Sequence, residues 1–394
     1  MTPGGLRWIH HLVVGLLLGA LSGCATLLPP SPTPWLHDAL FDHPPRPAEA
    51  DGVMALDEPM RRYLDGVLTG AKHDKGRARA LTDALYVRGD LQLEYDSSFT
   101  RNAAQAFAAR SGNCLSLVLM TAALARELGL DVSYQSATAG EYYSRQGNLT
   151  LQAGHVNLVL APRQSRWHQN GIYYMQDGDA LRIDFLPPEL LRGQRSVPIS
   201  EQRVLAMFMN NRAVESLQHA PLAQAYAWVR EALRLDPGFW TAYNTLGVIY
   251  QRAGHPVPAA AAFEQVLAQD PRNLPAMVNL APVLRTLGRH DEADHWTALR
   301  QALRPHAPFH FLGLAEGALA RGDLAQAREL LDREEAVTGE THELYFQRAR
   351  LLVAMGREGP AEAALQRAME TSETQRQRQV YAGKLARLRA LTAH

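Results

Sequence analysis

The apolar positions of this chain change period along its length, and each period predicts a different kind of element. Within 111–130, Leu117, Leu119, Met120, Ala123, Leu124 and Leu128 recur at helical spacing. That spacing predicts a buried helix, opened by a Gly112-Asn113 turn and stopped at Gly129. Upstream, helices are expected over 59–68, 76–88 and 101–110, with Thr100 as N-cap of the last and a short extended piece at 91–95. Downstream the period shortens to two. Strands are expected at 132–135, 155–160, 171–176 and 181–185, the last two joined as a hairpin by Asp177-Gly178-Asp179. The polar stretch 141–150 reads as a loop. Ahead of residue 51, Pro29, Pro30, Pro32, Pro34, Pro44, Pro45 and Pro47 predict an extended tether. On it, Trp35, Leu36, Leu40 and Phe41 are positioned to dock onto the following domain.

The second half of the chain repeats. Tyr243, Leu246, Gly247, Tyr250, Gly254, Ala259, Phe263 and Pro271 are followed, 34 positions on, by Met277, Leu280, Ala281, Leu284, Gly288, Ala293, Thr297 and Pro305. Another step reaches Phe311, Leu314, Ala315, Ala318, Gly322, Ala327, Leu331 and Gly339. A further 34 positions on come Tyr345, Ala349, Leu352, Gly356, Ala361 and Leu365. A step back gives Met209, Ala213, Ala225, Val229 and Pro237. This phase resembles the tetratricopeptide (TPR) pattern, in which small residues sit where two helices cross and large ones fill the gaps between. The resemblance implies five helix-pair repeats over 206–373, a capping helix over 374–394, and a curved solenoid that folds without the rest of the chain. Its concave face would bind a protein or peptide, with Asn244, Gln251, Asn279, Arg285, His310, Gln347 and Arg348 as candidate face residues.

Composition narrows the classes. The 394 residues suggest two or three domains, and 46% apolar content is enough for real cores. Forty basic residues balance forty acidic ones, without a basic patch interleaved with aromatics, so no nucleic-acid partner is expected. There are two cysteines, Cys24 and Cys114. Arg7, His10 and His11 precede a short apolar run, 12–20, and then Leu21-Ser22-Gly23-Cys24. The layout is that of a secretory signal, and its end resembles the bacterial lipobox. The resemblance implies cleavage after residue 23 and acylation of Cys24. With Ala25 next, it also implies an outer-membrane, periplasm-facing location. Cys114 would then be the one thiol of the mature chain in an oxidising compartment, which favours a thiol that is used.

Cys114 falls on the first turn of its helix, where the dipole and unpaired N–H groups favour the thiolate and offer donors to an oxyanion. The alternative is a structural Cys packed in the core. His155 follows at a strand start and Asp184 near the end of a later strand. That order serves a nucleophile, a base and an orienting carboxylate. For His155 the alternative is a hydrogen-bonded core histidine, and for Asp184 a strand-end cap. Asp177 and Asp179 read as turn residues, and His73 and His168 as surface. No metal-ligand spacing, P-loop or dinucleotide fingerprint occurs, so no cofactor and no metal are expected.

Gly112-Asn113-Cys114 before an apolar helix ending Leu128-Gly129, Gly154-His155, and Asp184 ahead of Pro187-Pro188 together resemble the transglutaminase-like, papain-related superfamily of cysteine hydrolases. The chain departs from it at Val156-Asn157, where relatives carry an aromatic. The resemblance implies an α+β domain over 51–200, with the Cys helix packed on an antiparallel sheet, followed by the all-α solenoid. It implies Cys114, His155 and Asp184 as catalytic residues that hydrolyse or transfer an amide through a thioester. Asn102 or Gln105 would be candidate second oxyanion donors. The whole then divides into a signal peptide (1–23), a tether (24–50), the α+β domain (51–200), the repeats (206–373) and the cap (374–394). The enzyme reading leads, and a non-catalytic assembly lipoprotein of the envelope is its rival.

Overall fold

The computed structural model describes residues 33–68, 74–87, 91, 93–146, 149–161, 166–169, 172–175, 180–185, 195–306, 309–372 and 375–392. The signal run, Cys24, His73, the turn at 177–179 and Pro187-Pro188 lie outside the described residues, as do the expectations placed on them.

The first half is built round one helix. Helices α1 (Glu58–Leu68), α2 (Asp74–Thr82) and α3 (Ala103–Ala109) precede α4 (Cys114–Glu127), and two residue pairs, β1 (Glu94–Tyr95) and β2 (Ser111–Gly112), bridge in parallel between them. Every residue of α4 from Leu115 to Ala125 is buried. Its start is set by Asn113, whose side chain accepts from Ser116 N–H at 2.8 Å. Its end is set by Gly129, at φ 74°, with Leu130 N–H returning to Ala125 O at 3.0 Å. The apolar side of α4 faces a four-stranded antiparallel sheet. The sheet order is β7 (Leu181–Ile183), β4 (Leu149–Ala161), β3 (Asp131–Gln146), β8 (Arg195–Ile199).

Three local expectations are corrected. Asn102, not Thr100, caps α3. Its carboxamide accepts from Gln105 N–H while the Gln105 side chain accepts from Asn102 N–H, a complete capping box. The polar stretch expected as a loop is largely strand. β3 reaches Gln146 and β4 starts at Leu149, pairing Tyr142 with Ala153 and Gln146 with Leu149. A ladder satisfies backbone groups whatever the side chains, so polarity alone does not end a strand. The segment at Ile172–Met175 (β6) pairs with β5 (Arg166–Gln169) rather than with β7, which closes the open edge of β4 instead.

The second half is a solenoid of antiparallel helix pairs. The pairs are α5 (Glu201–His219) with α6 (Leu222–Leu235), α7 (Trp240–Arg252) with α8 (Pro256–Gln269), and α9 (Leu274–Thr286) with α10 (His290–Leu303). Then come α11 (His310–Ala320) with α12 (Leu324–Thr338), α13 (His342–Ala354) with α14 (Glu358–Glu370), and a last helix, α15 (Gln375–Thr392). The first helix begins at Glu201 behind a Ser200 cap, ahead of the 206 boundary. The phase-locked glycines 254, 288, 322 and 356 make the turns inside pairs at φ between 69° and 80°, a region that costs other residues strain. Gly247 explains the small residue in the helix crossing. A Cβ there would stand 2.5 Å from the Phe263 ring.

Two features separate the molecule from the domain plan. Residues 33–50 are not a free tether. Phe41 stacks on Tyr226 with ring centroids 4.3 Å apart, Asp38 accepts from Tyr226 Oη at 2.7 Å, and Arg46 pairs with Glu231 at 2.9 Å. Tyr250 donates to Trp35 O at 2.8 Å. Prolines stiffen this stretch but leave its aromatics free to fill the grooves between solenoid helices, so it docks on the repeats rather than on the domain that follows it. Second, one apolar core runs without a break from Phe41 through α4 and the sheet to Phe208, Trp228, Phe263 and Ala293, while a separate cluster starts at Phe309. The repeats are therefore not a module that meets the first half only through a linker.

Candidate functional site

Cys114 is the first residue of α4, half-buried, with its thiol not in a disulfide. Among the first-turn amides, Ser116 N–H is taken by the Asn113 side chain and Leu117 N–H by Asn113 O at 3.0 Å. The N–H groups of Cys114 and Leu115 have no such partner among the described residues, which leaves two donors beside the sulfur. Gly112 makes the approach to this turn possible. A Cβ on it would fall 2.6 Å from Ser116 Cβ.

His155 arrives from β4, where it pairs with Ala137 inside the strand rather than at its start. The β3–β4 ladder loses register between Ala137 and Tyr142, directly beside it, and such irregularities re-aim side chains. His155 is 7% exposed. Its Nε2 lies 2.6 Å from Asp184 Oδ1, and Cys114 is near enough to act on the charge of the ring. Burial alone would push the imidazole pKa down. The hydrogen bonds and charges of Asp184 and Cys114 outweigh it and carry the group up to about 9. His155 and Asp184, 29 residues apart, are thus hydrogen-bonded to each other, with Cys114 within electrostatic reach of the ring.

Asp184 is held in turn. Its Oδ2 accepts from Asn157 Nδ2 at 3.0 Å and lies 3.6 Å from the Arg182 guanidinium, which also donates to Ser196 Oγ at 2.8 Å. Asn157 is fully buried, two residues along β4 from His155 and therefore on the same face. In the sequence it was visible only as a departure from the family pattern, and Arg182 gave no signal. Asn102 and Gln105, the candidate second oxyanion donors, commit their carbonyl oxygens and not their NH2 donors to the α3 capping box. Among the described residues no group of three or more His, Cys, Asp or Glu is arranged to hold a metal ion.

The candidate face residues of the solenoid scatter. Asn279 donates to Asn244 at 3.1 Å across neighbouring repeats, and Gln251 and His310 are exposed. Arg285 pairs with Asp294 at 2.9 Å, and Arg348 with Asp332 at 3.0 Å and Glu335 at 2.7 Å. Gln347 is a correction. It is buried and donates to Glu316 at 2.5 Å, so it belongs to the packing and not to an open face.

No family model and no curated protein matches the sequence. Solved structures similar to the chain include a tetratricopeptide repeat protein of Parabacteroides merdae (18% identity, 46% of this chain and 70% of that one, TM-score 0.27). They also include a thermophilic TPR protein of Thermus thermophilus (20%, 46% and 99%, 0.26), and YrrB, a TPR protein with an unusual peptide-binding site (19%, 45% and 92%, 0.25). The helix pairs, the glycine turns and the Gly247–Phe263 crossing carry the TPR reading of the second half on their own.

Proposed function

We propose that this is a lipid-anchored envelope protein whose first half is a transglutaminase-like cysteine hydrolase, with the repeats binding the substrate protein or a partner. The observation that carries the reading is the buried His155, whose Nε2 lies 2.6 Å from Asp184 Oδ1 and whose ring is near enough to Cys114 to feel its charge. The anchor rests on Leu21-Ser22-Gly23-Cys24, and the outer-membrane location on Ala25.

In the proposed reaction the Cys114 sulfur attacks an amide carbonyl, with the N–H groups of Cys114 and Leu115 donating to the oxyanion. The C–N bond breaks as His155 gives its proton to the leaving amine, and a thioester remains on Cys114. Water then attacks the thioester carbonyl while His155 takes its proton. Collapse of the second tetrahedral species releases the acid and returns the sulfur. Asp184 stays ionised throughout and orients the ring. An amine in place of water would make the same chain a transferase, and water is the default acceptor.

The test uses the chain from residue 25 onward, in which Cys114 is the sole thiol, labelled with iodoacetamide across pH. Wild type should label faster at pH 6 than a thiol without a base beside it. His155→Ala should slow labelling at pH 6 by roughly a hundredfold. A wild type that labels like its His155→Ala variant would remove the enzyme reading and leave the assembly lipoprotein in its place.

A further inference from the structure

Residues 96–101 have little regular structure, yet two polar networks meet in them. On one side they hold the nucleophile turn. Thr100 Oγ1 accepts from Asn113 Nδ2 at 2.9 Å, Arg101 N–H donates to Ser116 Oγ at 2.8 Å, and Ser116 Oγ donates to Asn113 Oδ1 at 2.9 Å. Asn113 is the cap of α4, and the next residue is Cys114. On the other side the same stretch is fixed to α5, the first helix of the solenoid. Thr100 N–H donates to Glu215 Oε1 at 2.7 Å, and Asn211 Nδ2 donates to Thr100 Oγ1 at 3.3 Å. The Arg212 guanidinium lies 4.1 Å over the Phe99 ring and pairs with Glu215 at 3.4 Å.

Thr100 is the shared member. A hydroxyl oxygen has two acceptor sites, and here the carboxamides of Asn113 and Asn211 take both, which locks its rotamer. The residue is 1% exposed, so solvent does not replace a partner that is removed. The cap that aims Cys114 is thereby oriented by a side chain about a hundred residues further along the chain.

We infer that Asn211 and Glu215, on the first solenoid helix, are positioning residues for Cys114, so that the cysteine site is complete only with the solenoid attached. This rests on the reading of Cys114 as nucleophile. The solenoid is then part of the catalytic scaffold as well as a binding surface, and its first helix is the direct route by which a bound partner can alter the reactivity of the thiol.

The experiment follows iodoacetamide labelling of Cys114 against pH in the chain from residue 25, with melting temperature recorded for each variant. Asn211→Leu and Thr100→Val should each slow labelling at pH 6 by roughly tenfold or more, because small misplacements of a reacting group are expensive. Their pH profiles should move toward that of an unassisted thiol. Glu215→Gln keeps an acceptor oxygen for Thr100 N–H and should label as wild type, whereas Glu215→Leu should not. If Asn211→Leu does not fold, the isosteric Thr100→Val reads the same link. Wild-type rates and profiles in Thr100→Val and Glu215→Leu overturn the inference. His155→Ala in the same series separates the two failures. If it alone slows labelling, the positioning role is wrong and the nucleophile stands. If it too has no effect, the nucleophile reading falls first.

Discussion

The solenoid and the cysteine site are built by opposite means. At α7 and α8 the chain relies on shape: Gly247 has no side chain because the fully buried Phe263 ring occupies the space, and small residues recur at that position in Ala281, Ala315 and Ala349 with a 34-residue period. At the site the chain relies on single polar contacts between distant residues, His155 to Asp184 at 2.6 Å and Asn157 to Asp184 at 3.0 Å, each used once. Shape errors at the α7–α8 crossing, away from the α5 contacts to Thr100, should cost folding and leave reactivity alone. Contact errors in the second region should change reactivity as well as stability, because they alter polar partners and few apolar atoms.

The sharpest test of that division is Gly247→Ala. Its Cβ would meet three ring atoms of Phe263 within 2.8 Å, and the ring is walled in. Overpacking of this kind costs ~1–3 kcal/mol, so the melting temperature should fall by several degrees while the pH profile of Cys114 labelling keeps its wild-type shape. A variant that melts like wild type would show that the helix crossing has slack.

Next in size is the pH dependence of stability, which belongs to the site. His155 sits at about 9 in the folded chain against 6.5 when unperturbed. A pKa raised on folding stabilises below the unfolded value, and the contribution is lost as pH rises through the folded one. Thermal stability should therefore decline between pH 6.5 and pH 9, by at most about 3 kcal/mol. In His155→Ala that decline should flatten. An identical slope in both proteins would mean that another group carries it.

A smaller effect is expected at Asn157. Replacing it with Leu removes the donor to Asp184 Oδ2, an oxygen 3.6 Å from the Arg182 guanidinium. One hydrogen bond to a charged group is worth ~1.5–3 kcal/mol, and part of that should appear as severalfold slower labelling at neutral pH. Combined with His155→Ala it should add nothing, since Asn157 acts only through the ring. An additive double variant would show that Asn157 serves packing alone.

The least change should come from Gly383→Ala on α15, where nothing beyond the helix's own neighbouring backbone lies within 4 Å of the added Cβ. Helix propensity favours the substitution by about 0.5–1 kcal/mol. The melting temperature should rise slightly with labelling unaltered. A loss of stability would show that small residues in this array are needed even where nothing touches them.

Legibility followed the same division. Repeated apolar and glycine positions announced the helix pairs, because a period repeated along the chain is hard to mimic by chance. Cys114, His155 and Asp184 could be singled out because each sits on a local motif, and of these the structure joins His155 to Asp184 by a hydrogen bond. Asn157 was noticed only as an anomaly, and Thr100 was assigned to a helix start that Asn102 occupies. Nothing local marked Asn211, Glu215 or Arg182, since a residue whose partner is distant in the sequence has no pattern near it. The extension of β3 and β4 through 141–153 was missed because strand pairing satisfies backbone groups that composition does not describe.

Local interactions were enough to determine the elements that depend on them: the Asn113 cap and Gly129 stop of α4, the glycine turns of the repeats, and the alternation of the strands. The tertiary structure alone decided which elements share a core and which side chains meet. It folded the Pro-rich stretch 33–50 onto α6 and α7, merged the first half and three repeats into one apolar core, and put Thr100 between Asn113 and Asn211. The physical reason is range. Caps, turns and periodicity act over a few residues, whereas burial and hydrogen bonding reward any residues that the folded chain brings together, however far apart they stand in the sequence.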